Sequence, residues 1–359
     1  MPELHAVASH HDSRPEGAPA YAETPFLITW ELTRACGLAC RHCRADAIRA
    51  RNPAELTTSE VARVLRELAA LEPRPPTVIF TGGDPTERPD LSEISEQAVG
   101  LGLSIAIAPS VTPRLTDAVI ANWARMGVRT VSISLDGPTA QSHDEFRGVP
   151  GTFAASLIAA RSVVAHGIPL QINTSVCRET LAGLADMAQL ACDLGAKRWE
   201  VFFVVPTGRA RGFAPLSASE TESTLGWLSN MASSAPYRIT SVAAPQYRRV
   251  REQRTTSARG PSGPVIKEGR GFAFIDHFGN VTPSGYLPLA AGNVRSEPFA
   301  TVYRESPLFR ALRDSRQLRG RCGRCPYREV CGGSRARAYA TAGDFLSEDP
   351  ACPYEPTAT

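Results

Sequence analysis

The chain has 359 residues, with 39 Lys+Arg against 36 Asp+Glu, 43% hydrophobic and 21% charged content, and nine cysteines. These fractions exclude wholesale disorder, and the length fits one large core or two modest domains. A net charge of +3 is too weak to argue for nucleic acid or a membrane surface as a partner, and the longest apolar runs, such as Val201–Val205, are too short to span a bilayer.

Residues 1–24 are polar, carry no apolar signal-peptide stretch and are expected to be disordered. That places the chain in the cytoplasm, where thiols stay reduced and grouped cysteines suggest metal rather than disulfides. A first strand, Leu27–Leu32, ends just before Cys36, Cys40 and Cys43. Thr57 or Thr58 caps a helix with Val61, Val64, Leu65, Leu68 and Leu71 at helical spacing. Thr77–Phe80 reads as a short buried strand, followed at once by Gly82-Gly83. A helix from Asp90 stops at Gly100 or Gly102, and Ser104–Ala108 is the third strand. The helix Asp117–Met126 and strand Val128–Leu135 follow, then helix Thr152–Ala165, strand Leu170–Ser175, helix Leu181–Leu194 and strand Trp199–Val205.

Six strands alternating with helices imply an α/β protein whose parallel sheet carries helices on its outer face. Six units fall short of the eight in a closed barrel, so the expected fold is a partial (β/α)6 TIM-like barrel over residues 25–213, open on one side. In such folds chemistry gathers at the C-terminal ends of strands, and the first cysteine group, the Gly-Gly turn and Asp136 all follow strand ends. Over 214–268 the pattern weakens into a connector, with Arg254–Pro264 loop-like in composition. Residues 269–359 read as a small domain rich in Cys, Gly and Arg, opening on a hairpin around Phe278-Gly279-Asn280.

Cys36-x3-Cys40-x2-Cys43 offers three soft thiolate donors in one loop, suited to an iron–sulfur cluster or zinc. A structural zinc needs a fourth ligand. His42 is the only nearby candidate, and its position between Cys40 and Cys43 turns it away from them. Three ligands suit a 4Fe–4S cluster that keeps one iron open; zinc completed from elsewhere is the alternative. Cys322-x2-Cys325-x5-Cys331 with Cys352 makes four further donors, a pattern that in isolation also fits zinc. Cys177 and Cys192 lie within periodic segments and are assigned to the core.

The stretch ITWELTRACGLACRHC resembles the radical S-adenosylmethionine (SAM) superfamily, with Cys36, Cys40 and Cys43 in its CxxxCxxC spacing. Thr81-Gly82-Gly83-Asp84-Pro85 is similar to the GGEP stretch of these enzymes, and Val131-Ser132-Ile133-Ser134-Leu135-Asp136-Gly137 matches a third motif at the fourth strand end. The resemblance implies that SAM chelates the open iron of a 4Fe–4S cluster and is cleaved reductively to a 5′-deoxyadenosyl radical, so no general base or nucleophile is expected beyond the cluster ligands. It implies contacts to SAM from Gly82, Gly83, Asp84, Ser134, Asp136 and Asn173, the glycines letting backbone approach the methionine amino group. Asp84 stands where Glu is commoner.

The run GRCGRCPYREVCGGSRARAY…GDFLSEDPACPYEP resembles SPASM-type C-terminal domains, especially those of the haem-synthesis branch that acts on iron-porphyrin propionates. The resemblance makes Cys322, Cys325, Cys331 and Cys352 the ligands of an auxiliary 4Fe–4S cluster. Ser284 and Ser334 stand where those relatives commonly have cysteine, which implies one auxiliary cluster instead of two.

The substrate class expected is a carboxylate-bearing tetrapyrrole, with maturation of a ribosomally made peptide as the alternative and a zinc-binding module as a remote third. The resemblance also implies an electron donor such as ferredoxin or flavodoxin. Arginine grips carboxylates bidentately, and Arg147, Arg209 and Arg211 near the barrel mouth are the candidate substrate contacts. Ten arginines between Arg304 and Arg337 face only Glu305, Asp314 and Glu329 in sequence, and are read as charge compensation or a solvated face.

Overall fold

The computed structural model describes residues 22–254 and 265–356. The expected disorder of the N-terminal segment, up to residue 21, and the loop-like stretch 255–264 lie outside them. Seven parallel strands form the main sheet: β1 (Leu27–Glu31), β2 (Thr77–Thr81), β3 (Ser104–Ile107), β4 (Thr130–Ser134), β5 (Leu170–Val176), β6 (Arg198–Phe203) and β7 (Arg238–Val242). The helices between them are α1 (Thr58–Ala69), α2 (Leu91–Gly100), α3 (Asp117–Met126), α4 (Ala140–Arg147), α5 (Thr152–Ala165), α6 (Leu184–Asp193) and α7 (Ala218–Met231), with α8 (Gln246–Arg254) after β7. The C-terminal part adds β8 (Lys267–Glu268), β9 (Gly271–Ile275), β10 (Asn280–Thr282), β11 (Gly292–Asn293), and α9 (Phe299–Glu305), α10 (Pro307–Arg313), α11 (Gly320–Arg324) and α12 (Arg335–Ala342).

β9 lies parallel to the free edge of β1 and pairs antiparallel with β10 through the anticipated turn, so the C-terminal segment extends the barrel's own sheet. The strand path runs β11-β10-β9-β1-β2-β3-β4-β5-β6-β7, and its two ends are not paired with each other. The wall is therefore open, as expected, but one unit longer than the six read from sequence. The added α7-β7-α8 falls in the stretch where patterning fades. β7 is RITSV, short and weakly apolar, and α8 is QYRRVREQR, so neither carries the periodicity that betrays an element.

Register explains how the wall is built. Successive residues of a strand point to opposite faces, and partners in parallel register share a face. Ile133, Ile172, Trp199 and Ile239 form one row across β4–β7, buried against the helices. Ile28, Val78 and Ile105, and Trp30, Phe80 and Ile107, continue that face across β1–β3 at full burial. The opposite face carries Ser134, Asn173, Glu200 and Thr240 in one row. A closed TIM barrel fills this position with bulky aliphatics; here the inner wall is polar.

Helix ends follow local chemistry. Thr57 and Glu60 make a capping box for α1, Thr139 and Ser142 one for α4, and Ser217 and Glu220 one for α7. No single helix among the described residues is long and apolar enough to cross a membrane.

Candidate functional site

The loop from β1 to α1 holds Cys36, Cys40 and Cys43, all free thiols. Cys36 Sγ lies 3.5 Å from Ser110 Oγ and accepts from Leu38 N at 3.3 Å. Cys43 Sγ accepts from Ala47 N at 3.4 Å, and Arg147 Nη1 stands 3.9 Å from Cys40 Sγ. Burial pushes the Cys36 and Cys40 thiols up, and the Arg147 charge works against that at Cys40. The segment after β6 clamps this loop. Arg209 donates from Nε to Cys40 O at 2.9 Å and from Nη1 to Ala47 O at 3.1 Å, and its backbone N–H donates to Cys43 O at 3.0 Å. Gly208 makes the approach feasible: at φ +53°, a Cβ there would sit 2.4 Å from Arg44 O.

The Gly-Gly turn does need close backbone approach, but the neighbour is the cysteine loop itself. A Cβ on Gly82 would lie 2.3 Å from Thr33 O, and one on Gly83 2.4 Å from Ala35 O. Gly83 N donates to Thr33 O at 2.8 Å and Asp84 N to Ala35 O at 2.7 Å, so those amides are already engaged. Asp84 is fully buried, accepting from Thr112 Oγ1 at 2.7 Å and Thr86 N at 3.1 Å, and burial raises its carboxyl. The turn therefore acts as a buttress that fixes Ala35 and Cys36.

Asp136 lies just beyond β4 at the centre of a buried network. Its Oδ2 takes Arg147 Nη2 at 2.9 Å and Nε at 3.0 Å, and its Oδ1 accepts from Ser175 N at 2.7 Å. His42 Nε2 is 3.5 Å from Oδ2, and Asp136 N donates to His143 Nδ1 at 3.1 Å. Burial opposes ionisation, yet Arg147 and the histidines hold this carboxyl well below the usual range. Burial lowers both imidazoles as well, to about 4, so they stand neutral. His42 stacks on Phe146 at 4.4 Å between ring centroids.

Two expected substrate arginines thus have other work: Arg147 bonds Asp136 and Cys40, and Arg209 clamps the cysteine loop. For Arg147 the physical reason is burial, because a guanidinium shut from water must find partners within the protein; Arg209 is only partly buried and is held by the carbonyls of Cys40 and Ala47. Arg211 is exposed, Ser134 is half-buried, and the Asn173 carbonyl accepts from Gln171 at 2.9 Å.

Several residues on the inner side carried no sequence signal. Arg44, next to Cys43, bonds Glu31 at 2.8 Å and Gly285 O at 3.2 Å, and lies over the rings of Phe274 (4.9 Å) and Tyr286 (5.9 Å). Glu31 also meets His277 Nδ1 at 2.8 Å. The first cysteine loop is thereby tied to β9 and the turn after β10. Burial raises the Tyr286 phenol, and Arg44, Asp136, Cys43 and Glu200 are its electrostatic neighbours, so it stands between loop and wall as a neutral donor. Glu200, on the polar row, takes Thr240 Oγ1 at 3.2 Å and has its carboxyl raised by burial.

Cys322, Cys325, Cys331 and Cys352 line one cavity together with Arg249, Arg321, Gly332, Gly333, Asp349 and Tyr354. Burial pushes Cys331 up to about 12. Ser334 caps α12, accepting from Arg337 N at 3.2 Å, and donates to Glu268 at 3.2 Å. Ser284 Oγ accepts from Tyr286 N at 3.1 Å. One serine thus caps a helix and the other closes a turn. The basic stretch is largely spent on local pairs: Arg316 with Asp314, Arg319 with Asp344, Arg321 with Glu348, and Arg337 with Asp349.

Among the described residues no three His, Cys, Asp or Glu converge to the spacing of a single-ion shell. The four thiols of the second group line a common cavity, room that a multi-iron group would need. Among the buried polar atoms without partners are Arg209 Nη2, on the residue that clamps the first cysteine loop, and Arg249 Nε, on a residue lining the second cysteine cavity. Since buried polar groups are normally satisfied, these donors fit anionic sulfur groups at both sites.

Three motifs at strand ends, a polar inner wall and grouped thiols define the class, and comparison with known proteins agrees. Residues 30–191 match the radical SAM superfamily, and the chain belongs to it. It is 40% identical to the AdoMet-dependent heme synthase of Oleidesulfovibrio alaskensis over 95% of this chain and 89% of that protein. It is 37% identical to the AdoMet-dependent heme synthase of Methanosarcina barkeri, covering 94% and 99%, and 30% identical to the PqqA peptide cyclase of Rhodopseudomonas palustris, covering 95% and 91%. The fold matches Streptococcus suis SuiB bound to S-adenosylmethionine at TM-score 0.73 and 15% identity, over 92% of this chain and 78% of that one. The chain is an enzyme of the radical SAM type, using SAM and a 4Fe–4S cluster.

Proposed function

We propose that this enzyme acts on the propionate side chains of an iron porphyrin, a reading in keeping with its similarity to proteins named AdoMet-dependent heme synthase. The observation that carries this reading is identity of 37–40% with AdoMet-dependent heme synthases across nearly the whole chain, which spans the barrel and the second cysteine group alike. Cys36, Cys40 and Cys43 are the proposed ligands of the SAM-binding cluster, and Cys322, Cys325, Cys331 and Cys352 those of one auxiliary cluster. When loaded, the first cluster and SAM supply a radical that abstracts hydrogen from substrate.

The chain's own residues do the rest. Arg209, Gly208 and the Gly82-Gly83 turn hold the cysteine loop in place. Arg147 and Asp136 set the charge beside Cys40. The polar row Ser134, Asn173 and Glu200 gives SAM and substrate a wall of hydrogen-bonding groups, and Tyr286 offers a phenol to a carboxylate. Residues 25–213, extended by α7-β7-α8, form the catalytic barrel, and the segment from 269 closes its β1 edge.

The test is titration of anaerobically reconstituted protein with iron coproporphyrin. A Soret shift on binding and SAM cleavage dependent on the porphyrin support the reading; no binding, with cleavage stimulated by a precursor peptide instead, replaces it with peptide maturation, toward which the 30% identity to a peptide cyclase points.

A further inference from the structure

Two arginines from different helices reach the second cysteine group, Arg249 by lining its cavity and Arg335 by approaching Cys322. Arg335, the first residue of α12, is 3% exposed. It donates to three carbonyls, Gly333 O at 3.1 Å, Phe345 O at 2.9 Å and Ser347 O at 2.6 Å, and its Nη2 stands 3.6 Å from Cys322 Sγ. Among the described residues no carboxylate lies within ion-pair distance of it, and Asp349, the acid in the same cavity, is bonded to Arg337 at 3.1 Å. A guanidinium keeps its proton in any protein environment. A buried one without a counter-ion is strongly unfavourable; Asp344 and Asp349 act on Arg335 only from beyond ion-pair distance, and the sulfur it approaches is that of Cys322.

Arg249, on α8, is 2% exposed and comes from outside the cysteine-bearing segment. Its Nη1 bonds Glu222 at 2.9 Å and Gln253 at 2.8 Å, its Nη2 lies 4.0 Å from Cys352 Sγ, and its guanidinium sits 5.0 Å over the Tyr354 ring. Its Nε is buried with no partner, and the residue lines the cavity beside all four cysteines. A helix as polar as α8 would ordinarily turn every arginine to water. This one is turned inward, and a carboxylate on α7 keeps it there.

We infer that Arg335 and Arg249 are the counter-charges of an anionic iron–sulfur cluster held by Cys322, Cys325, Cys331 and Cys352, and that they hold its reduction potential up. This rests on the reading of those four cysteines as ligands. Four thiolates outweigh the positive charge of a cluster core, so the group is an anion and reduction makes it more so. Fixed positive charge and N–H donors beside the sulfurs favour the reduced form. The arrangement also couples α8 of the barrel to the auxiliary centre.

The experiment is an EPR-monitored redox titration of the full-length chain carrying Cys36→Ala, Cys40→Ala and Cys43→Ala, so that the auxiliary signal stands alone. Iron and sulfide are counted in every sample, and Arg335→Lys, Arg335→Gln, Arg249→Lys and Arg249→Gln are compared with the parent. The Gln variants are expected to retain the cluster and shift to lower potential, with the Lys variants between them and the parent. Full cluster content with an unchanged or raised potential in Arg249→Gln overturns the inference, even if Arg335→Gln loses its cluster through its carbonyl bonds. A parent that binds no iron overturns the ligand assignment, and the inference falls with it.

Discussion

Gly83→Ala probes whether the turn after β2 buttresses the cysteine loop. The added Cβ would stand 2.4 Å from Ala35 O and 2.5 Å from Arg34 O. Both are backbone atoms and cannot rotate away, so β1's extension and the turn must separate. Separation forfeits the bonds Gly83 N to Thr33 O at 2.8 Å and Asp84 N to Ala35 O at 2.7 Å, worth about 1 kcal/mol each. Residual overpacking adds about 1–3 kcal/mol. The expected loss is therefore about 3–5 kcal/mol, a large share of the ~5–15 kcal/mol that holds a typical domain. Urea unfolding followed by far-UV circular dichroism measures it, and iron retained after reconstitution should fall in step because Cys36 adjoins Ala35. Gly100→Ala is the control. Its Cβ meets nothing within 4 Å at the end of α2, and a gain of up to about 1 kcal/mol is expected from helix propensity. A Gly83→Ala protein within ~0.5 kcal/mol of wild type, loaded with iron as usual, would refute the buttress.

Asp136→Asn leaves Arg147 buried without its carboxylate and should cost about 3–5 kcal/mol, and adding Arg147→Met should restore part of that loss in the same urea assay. His143 is held at about 4 by burial, helped by Arg147. A depressed folded value means that its contribution is complete above the ordinary 6.5 and drains away as pH falls from 6.5 toward 4. Stability profiles of wild type should drop over that window by on the order of 2–3 kcal/mol more than those of His143→Gln. Reconstituted wild type should carry about eight irons per chain and Cys322→Ala about four; about twelve in wild type would show that Ser284 and Ser334 do not mark a lost cluster. Tyr286→Phe removes one neutral donor and should weaken iron coproporphyrin binding by about 2–10-fold in the Soret titration, with the urea midpoint unchanged.

Much of this enzyme is legible one residue at a time. Thiolate spacing, glycines at a strand end and an acid after β4 are local facts, and the short apolar runs Leu27–Leu32 and Thr77–Phe80 announce strands. Elements that lack such periodicity escaped: β7 is stabilised by pairing with β6, and α8 by Tyr247, Arg249 and Val250 packing inward. Those supports lie far away in the chain.

The sequence by itself determined the ligand types, the order of the βα units and the membership of the superfamily, because these rest on side-chain chemistry and short-range spacing. Tertiary structure alone decided which charges face which. Arg147 and Arg209 read as candidates for substrate until folding buried the first against Asp136 and bonded the second to the cysteine loop, while Arg44, Arg249 and Arg335 became contacts of the two thiol groups or of the wall between them. A guanidinium's role follows from its surroundings, and those surroundings are assembled from segments up to 241 residues apart, as Arg44 and Gly285 are.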